Sequence, residues 1–189
     1  MSSRRGQLVI VSGPTASGKS SLWRRLVSHP QVRFSVSATT RAPRKNEVDG
    51  RDYHFVDDAR FDEMIAQGEL LEWAEVHGCR YGTPREPVVK AIDAGFDVVL
   101  EIDVQGAISL RESGLPTISI FVAPPSREEL EQRLRARGTE TEEQMARRLT
   151  IVDQEMAAAH EYDHVVVNDD LNRMIDEVET LLNLQPHEG

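Results

Sequence analysis

Cysteine is almost missing from the 189-residue chain: Cys79 stands alone, so neither an internal disulfide nor a cysteine-built zinc site is available, which suits a reducing cytoplasm. Long apolar runs are missing too. No stretch approaches the roughly 18 residues that a membrane span needs, and Met1–Gly6 is a short polar start with no apolar segment behind it. The expectation is a soluble, unsecreted, cytoplasmic protein with no membrane partner. Positive charge is in deficit. The 22 Lys+Arg against 32 Asp+Glu leave a formal net charge of −10, a field that opposes a polyphosphate backbone and speaks against a nucleic-acid partner. A pocket can still gather a few basic groups around one small anion. Those groups are mostly arginine, since lysine occurs only at positions 19, 45 and 90. The histidines, at 29, 54, 77, 160, 164 and 187, show no metal-ligand spacing.

What is present suffices for a core. With 39% hydrophobic residues, a chain of this length buries about 70% of its unfolded surface, which excludes wholesale disorder. At roughly 100–200 residues per domain, one domain carrying small insertions is expected. Gln7–Ser12 is an apolar, β-branched run; a Gly-rich turn follows, then Leu22, Leu26 and Val27 at helical spacing until His29-Pro30 ends the helix. From Val32 to about Pro84 short strand-like runs (VRFSVSA, DYHFV, LLEWAEV) surround a charged loop and one helix near Asp58–Gln67. Beyond Pro84 come a helix to Ala94, a strand at Asp97–Ile102, a short helix after Gln105 and a strand at Thr117–Val122. Ser126 with Glu129 and Thr141 with Gln144 fit the capping box, which predicts two helices separated at Arg137-Gly138. A strand at His164–Asn168 and a helix at Asp170–Leu184 follow. Strands alternating with helices predict an α/β fold, a parallel sheet flanked by helices, with the Val32–Pro84 stretch as a β-rich insertion.

Gly13-Pro14-Thr15-Ala16-Ser17-Gly18-Lys19-Ser20 matches G-x-x-x-x-G-K-[ST] in full and lies between the predicted first strand and first helix, the context that this P-loop pattern needs. Backbone N–H groups of such a loop and of the following helix start, through Ser21, converge on phosphate oxygens. Lys19 adds a point charge near the β- and γ-phosphates, and the Ser20 hydroxyl can ligate Mg²⁺. A nucleoside triphosphate is therefore expected, without the reaction being named, because ATPases, GTPases and small-molecule kinases share the pattern. A GTPase would carry N-K-x-D after a later strand, and Asn168-Asp169-Asp170 lacks the lysine.

The insertion is more specific. FSVSATTRAPR at residues 34–44 runs into EVDGRDYHF at 47–55, and LLEWAEVHGCRYGT, VVLEIDVQG, APPS, RLRARGTETEE and VVVNDD follow in order. With the phosphate loop, these segments closely resemble the guanylate kinase family over roughly Gln7–Leu182. The resemblance implies a core at about residues 1–33, 84–125 and 150–189, a GMP-binding insertion at about 34–83 and a helical lid at about 126–149. It implies ATP-dependent phosphorylation of GMP, with dGMP as a second acceptor, for purine nucleotide metabolism and GMP recycling. Arg41 and Arg44 bracket Pro43 in an extended segment where two guanidinium forks can take one phosphate. The family places Tyr53 and Tyr81 with them, and Glu47 beside them. Guanine presents adjacent donors at N1 and the 2-amino group next to an acceptor at O6. The family pattern puts the answering carboxylate at Glu72 and hydroxyls at Ser37 and Thr83, where serine is commoner than threonine.

Asp103, after the apolar strand, is the Mg²⁺ candidate with Ser20, through water, and the resemblance counts it in the GMP site as well. Glu101 matches a family aspartate of the GMP site, with an arm one methylene longer. Arg133, Arg137 and Arg148 match lid positions that close over ATP and neutralise charge on the transferred phosphoryl, whereas Arg135 and Arg147 read as solvated neighbours. Asn168 matches a residue near the adenine. Thr15 and Ala16 stand where the family often has serine and glycine, which raises the question of a strained φ at Ala16. The catalytic set so implied is Lys19, Arg41, Arg137 and Arg148. Two rival readings share part of the pattern. Guanylate-kinase-like scaffold domains typically have a degraded phosphate loop, which Lys19 and Ser20 oppose. Kinases for ribose 1,5-bisphosphate or another nucleoside monophosphate are opposed by Ser37, Glu72, Thr83 and the Arg41–Arg44 segment. Oligomeric state is left open.

Overall fold

The computed structural model describes residues 5–76, 78–102, 106, 107, 110, 113–136 and 142–184. Nine strands are described: β1 (Leu8–Ser12), β2 (Val32–Phe34), β3 (Ala38–Thr39), β4 (His54–Phe55), β5 (Leu70–Val76), β6 (Cys79–Pro84), β7 (Asp97–Glu101), β8 (Thr117–Ala123) and β9 (His164–Val167). The described α-helices are α1 (Lys19–Leu26), α2 (Asp58–Ala66), α3 (Arg85–Asp93), α4 (Arg127–Ala136), α5 (Glu142–Ala157) and α6 (Leu171–Leu181), with a 3₁₀ turn at Ala158–Glu161 after α5.

β1 is buried at all five positions, as a strand covered on both faces must be, and its apolar run serves both. Val9 and Val11 face Leu22 and Leu26 of α1 and Met174 and Val178 of α6. Leu8 and Ile10 face Val88 and Ile92 of α3 together with Leu100 and Phe121. β1 is the centre of a five-stranded sheet of order β2-β7-β1-β8-β9, in which every pairing is parallel. The carboxyl ends of all five strands therefore share one edge, where open α/β sheets bind ligands.

The second sheet has the order β4-β3-β6-β5. One face is closed by α2 through Ala38, Phe61, Met64 and Leu70. The Asp57 side chain caps α2 by accepting from the Arg60 N–H at 2.8 Å. The register between β5 and β6 shifts: Leu70 pairs with Pro84 and Trp73 with Gly82, so Leu71 and Glu72 together face the single Thr83. This bulge turns Leu70 toward α2 while Glu72 faces away from it.

α4 and α5 pack on each other through Leu130, Leu134, Met145, Leu149 and Val152. The Ser126 hydroxyl accepts from the Glu129 N–H at 3.1 Å, the cap expected there. Thr141, the cap expected for α5, lies outside the described residues, as does most of the short helix expected after Gln105. α5 runs unbroken through residue 149, where the lid was expected to end. The run VRFSVSA is not one strand. Val32–Phe34 joins the large sheet beside β7, and only Ala38–Thr39 joins the small one, because the chain must step from one sheet to the other at Ser35–Ser37. No helix among the described residues is long and apolar enough to cross a membrane.

Candidate functional site

A cleft of about 900 Å³ opens at the carboxyl edge of the large sheet. Gly13, Thr15, Lys19 and Ser20 line it from the phosphate loop; Ser37, Arg44, Glu47, Tyr53, Glu72 and Tyr81 line it from the smaller sheet and its loop. Glu101, at the end of β7, lines it as well.

On the loop side the backbone does most of the shaping. Gly13 has φ +134° and a Cβ there would lie 2.3 Å from the Val122 carbonyl oxygen; Gly18 has φ +107° and a Cβ there would lie 2.1 Å from Asn168 Nδ2. Only glycine fits either place. Gly18 opens α1 with no side-chain cap, which leaves that helix end to an anionic acceptor. Lys19 Nζ donates to the Gly13 and Pro14 carbonyls at 2.5 and 2.8 Å. Ala16 has φ +67°, a conformation that costs an L residue about 1–2 kcal/mol, and it packs against the α4–α5 core. The glycine-to-alanine departure is thus strained, with a packing contact beside the strain.

The small-sheet side is built from side chains. Glu72, 8% exposed, accepts from the fully buried Thr83 hydroxyl at 2.6 Å. Thr83 sits behind Glu72 and is not on the cleft wall; it orients the carboxylate. Arg41 forms a two-pronged bond to Glu47 at 2.9 and 3.0 Å, and the Arg44 N–H donates to Glu47 at 2.7 Å. Those bonds, the Arg41 guanidinium first, hold the Glu47 carboxyl below the usual glutamate range, and the Glu47 bond raises Arg41 in turn. Arg41 lies behind Glu47, with its guanidinium 5.4 Å from the Tyr53 ring centre. Tyr53 and Tyr81 meet edge to face at 5.9 Å. Burial, then the neighbouring Tyr81, pushes the Tyr53 hydroxyl up.

The residues expected at the lid divide. Asn168 is buried and donates from Nδ2 to the Ser17 carbonyl at 2.7 Å, so it braces the phosphate loop. Arg133 donates to the Asn168 carbonyl at 3.1 Å and to Glu129 at 3.2 Å. Arg135 pairs with Glu131 and Glu142, and Arg147 with Glu143, as surface neighbours. Arg148 is half-buried on α5 and does not line the cleft. Asp103 and Arg137 lie outside the described residues.

Trp23, Phe34 and Glu155 also line the cleft and were not singled out in the sequence. Trp23 was within reach of that reading, being one helical turn beyond Lys19 and so on its face; Glu155 likewise lies two turns beyond Arg148. Among the described residues no group of three or more His, Cys, Asp or Glu forms a metal cage. The oxygen donor at the loop is the Ser20 hydroxyl, which suits a hard ion that arrives with its phosphates and keeps its water, as Mg²⁺ does.

Residues 5–185 match the family model described as guanylate kinase. The chain belongs to the guanylate kinase family. Among curated guanylate kinases, that of Nocardia farcinica is 52% identical over 181 residues, 94% of each chain. That of Thermosynechococcus vestitus is 51% identical over 178 residues, 94% of this chain and 93% of its own. The crystal structure of guanylate kinase from Anaplasma phagocytophilum matches with a TM-score of 0.77 at 35% identity, over 97% of this chain and 87% of that one. A sugar kinase from Janibacter shares the fold alone, at a TM-score of 0.52 and 15% identity.

Proposed function

We propose that ATP binds on the phosphate-loop side of the cleft, GMP on the small-sheet side, and that the γ-phosphoryl of ATP passes to the GMP phosphate, giving ADP and GDP. The observation that carries this reading is Glu72, a carboxylate buried in the wall of a cleft whose opposite wall is a complete phosphate loop. Guanine offers N1–H and the 2-amino group as paired donors to such a carboxylate. Adenine lacks that pair and would bring Glu72 neither of the donors that guanine offers, a mismatch that can cost a factor of about 10⁴. Ser37 supplies a hydroxyl on the same wall, while Arg44, Tyr53 and Tyr81 receive the GMP phosphate, joined by Arg41 where the phosphate takes over from its Glu47 partner.

The attacking oxygen belongs to a phosphate that ionises a second time near pH 6 and so needs no general base at neutral pH. The protein's task is to hold two polyanions in line and shield them from each other. Lys19 turns from the loop carbonyls to the stronger anionic acceptors of the entering triphosphate. Arg148, Arg137 and Arg133 are assigned to the donor side, with Asn168 holding the loop in shape. Ser20 and Asp103 would hold Mg²⁺, which would supply charge neutralisation for the transferred phosphoryl group.

ADP formation from Mg·ATP with GMP, dGMP, AMP, CMP, UMP and ribose 1,5-bisphosphate tests the reading. Turnover that favours GMP and disappears in Lys19→Ala supports it. GMP binding without turnover would point to a scaffold, and preference for another acceptor would reject the assignment of Glu72.

A further inference from the structure

Trp23 projects from α1 four residues beyond Lys19, and three observations join it to the acceptor side of the cleft. Its indole Nε1–H donates to Glu101 Oε2 at 2.5 Å. Its ring stacks on Phe34, centres 4.2 Å apart and planes at 22°. Trp23, Phe34 and Glu101 all line the cleft, and both rings pack against the main core. The ring is thus fixed from below by Phe34 and cannot swing off Glu101 without uncovering apolar surface.

We propose that Trp23 is a positioning residue for the acceptor nucleotide: by bonding Oε2 of Glu101 it turns Oε1 toward the cleft, where that oxygen accepts from a donor on GMP. The proposal rests on the GMP reading given above. A carboxylate only accepts hydrogen bonds, through two equivalent oxygens, and its terminal torsion is soft. Fixing one oxygen therefore aims the other. A glutamate has one more rotatable bond to restrain than the aspartate that the resemblance leads one to expect here, and the indole supplies the restraint from the helix that carries Lys19.

Steady-state kinetics on the full chain test this with Trp23→Phe, Glu101→Gln and the double variant. Trp23→Phe keeps the stack on Phe34 and loses the donor. Its KM for GMP should rise about tenfold, the scale of one hydrogen bond to a charged group, with kcat and the KM for ATP within about twofold. In Glu101→Gln the single amide oxygen is held by Trp23 and the NH₂ group faces the donor on GMP, so the KM for GMP should rise further. In the double variant the amide is free to turn its oxygen to the cleft, and the KM for GMP should fall below that of Glu101→Gln alone. A double variant whose KM rises by the product of the two single effects, or a Trp23→Phe that raises both KM values alike, would overturn the proposal. Glu72→Gln separates the two levels. If it leaves the KM for GMP unchanged, the GMP reading itself fails; if it is impaired while the Trp23 and Glu101 effects multiply, only this proposal fails. A measurement on the unaltered protein avoids any folding defect in the variants. The two indole N–H resonances are assigned with Trp73→Phe, and that of Trp23 should lie downfield of Trp73 and move on addition of GMP. A Trp23 resonance at the position of an exposed indole and indifferent to GMP would contradict the hydrogen bond.

Discussion

The large sheet is covered on both faces, and what it offers the cleft is a glycine-shaped loop and a helix end. The small sheet has one apolar face, closed by α2 through Phe61, Met64 and Leu70, and turns its other face to the cleft with Glu72 and Tyr81. On the first side the shape comes from the backbone, set by Gly13 and Gly18, with Ala16 held at a positive φ. On the second side the polar groups are side chains with buried partners, such as Glu72 on Thr83, so on the proposed reading a single substitution there should alter which acceptor is taken. On the proposed reading, the loop side supplies what all triphosphates need, and the sheet side supplies the choice of acceptor.

The comparison is broken most severely at Lys19. Lys19→Ala should lower kcat about 10³-fold with every acceptor, the scale of removing one donor from a charge-stabilising site, as measured by ADP release. Glu72→Gln should lower kcat/KM for GMP about 10²-fold and leave the KM for ATP unchanged, seen in the same assay with GMP and AMP side by side. Thr83→Val keeps the shape and removes the hydroxyl from Glu72. It should raise the KM for GMP about tenfold, while Thr83→Ser should stay near the parent. Asn168→Ala leaves the Ser17 carbonyl without its donor and should cost about 2 kcal/mol of stability, a fall in Tm of about 4–8 °C for a chain of this size by calorimetry.

The smallest effect concerns pH. Glu47 titrates below the ordinary glutamate range because Arg41 bonds it. A depressed carboxyl contributes stability above its unfolded pKa and loses it as pH falls through the folded value. The Tm difference between the parent and Glu47→Gln should therefore stay constant from pH 8 to 6 and close only in acid. Over the same neutral range the KM for GMP should rise as pH falls toward 6, where the GMP phosphate gains a proton.

The large sheet was legible because its signals are local. An apolar run, a G-x-x-x-x-G-K-S turn and a helical repeat place β1, the loop and α1 without further information, and the Ser126 cap places the start of α4. The ends of α3, β7, β8 and β9 lie within a few residues of expectation for the same reason. What escaped depends on contacts distant in sequence. The β5 bulge that sets Glu72 opposite Thr83 arises from pairing between two strands, whereas LLEWAEV by itself reads only as a strand-like run. Asn168 braces Ser17 across 151 positions, a partnership that neither segment announces. The helical turn between Lys19 and Trp23 places the indole on the Lys19 face, but its partner Glu101 lies 78 positions away, and only the fold brings the two together.

The separation of the two walls is tested most directly by calorimetric titration of GMP and of a non-hydrolysable ATP analogue into Lys19→Ala and Glu72→Gln. Lys19→Ala should lose affinity for the ATP analogue and keep GMP, and Glu72→Gln should lose GMP and keep the analogue. If either variant loses both ligands together, the walls do not act as separate sites and the division of labour between the two sheets is wrong.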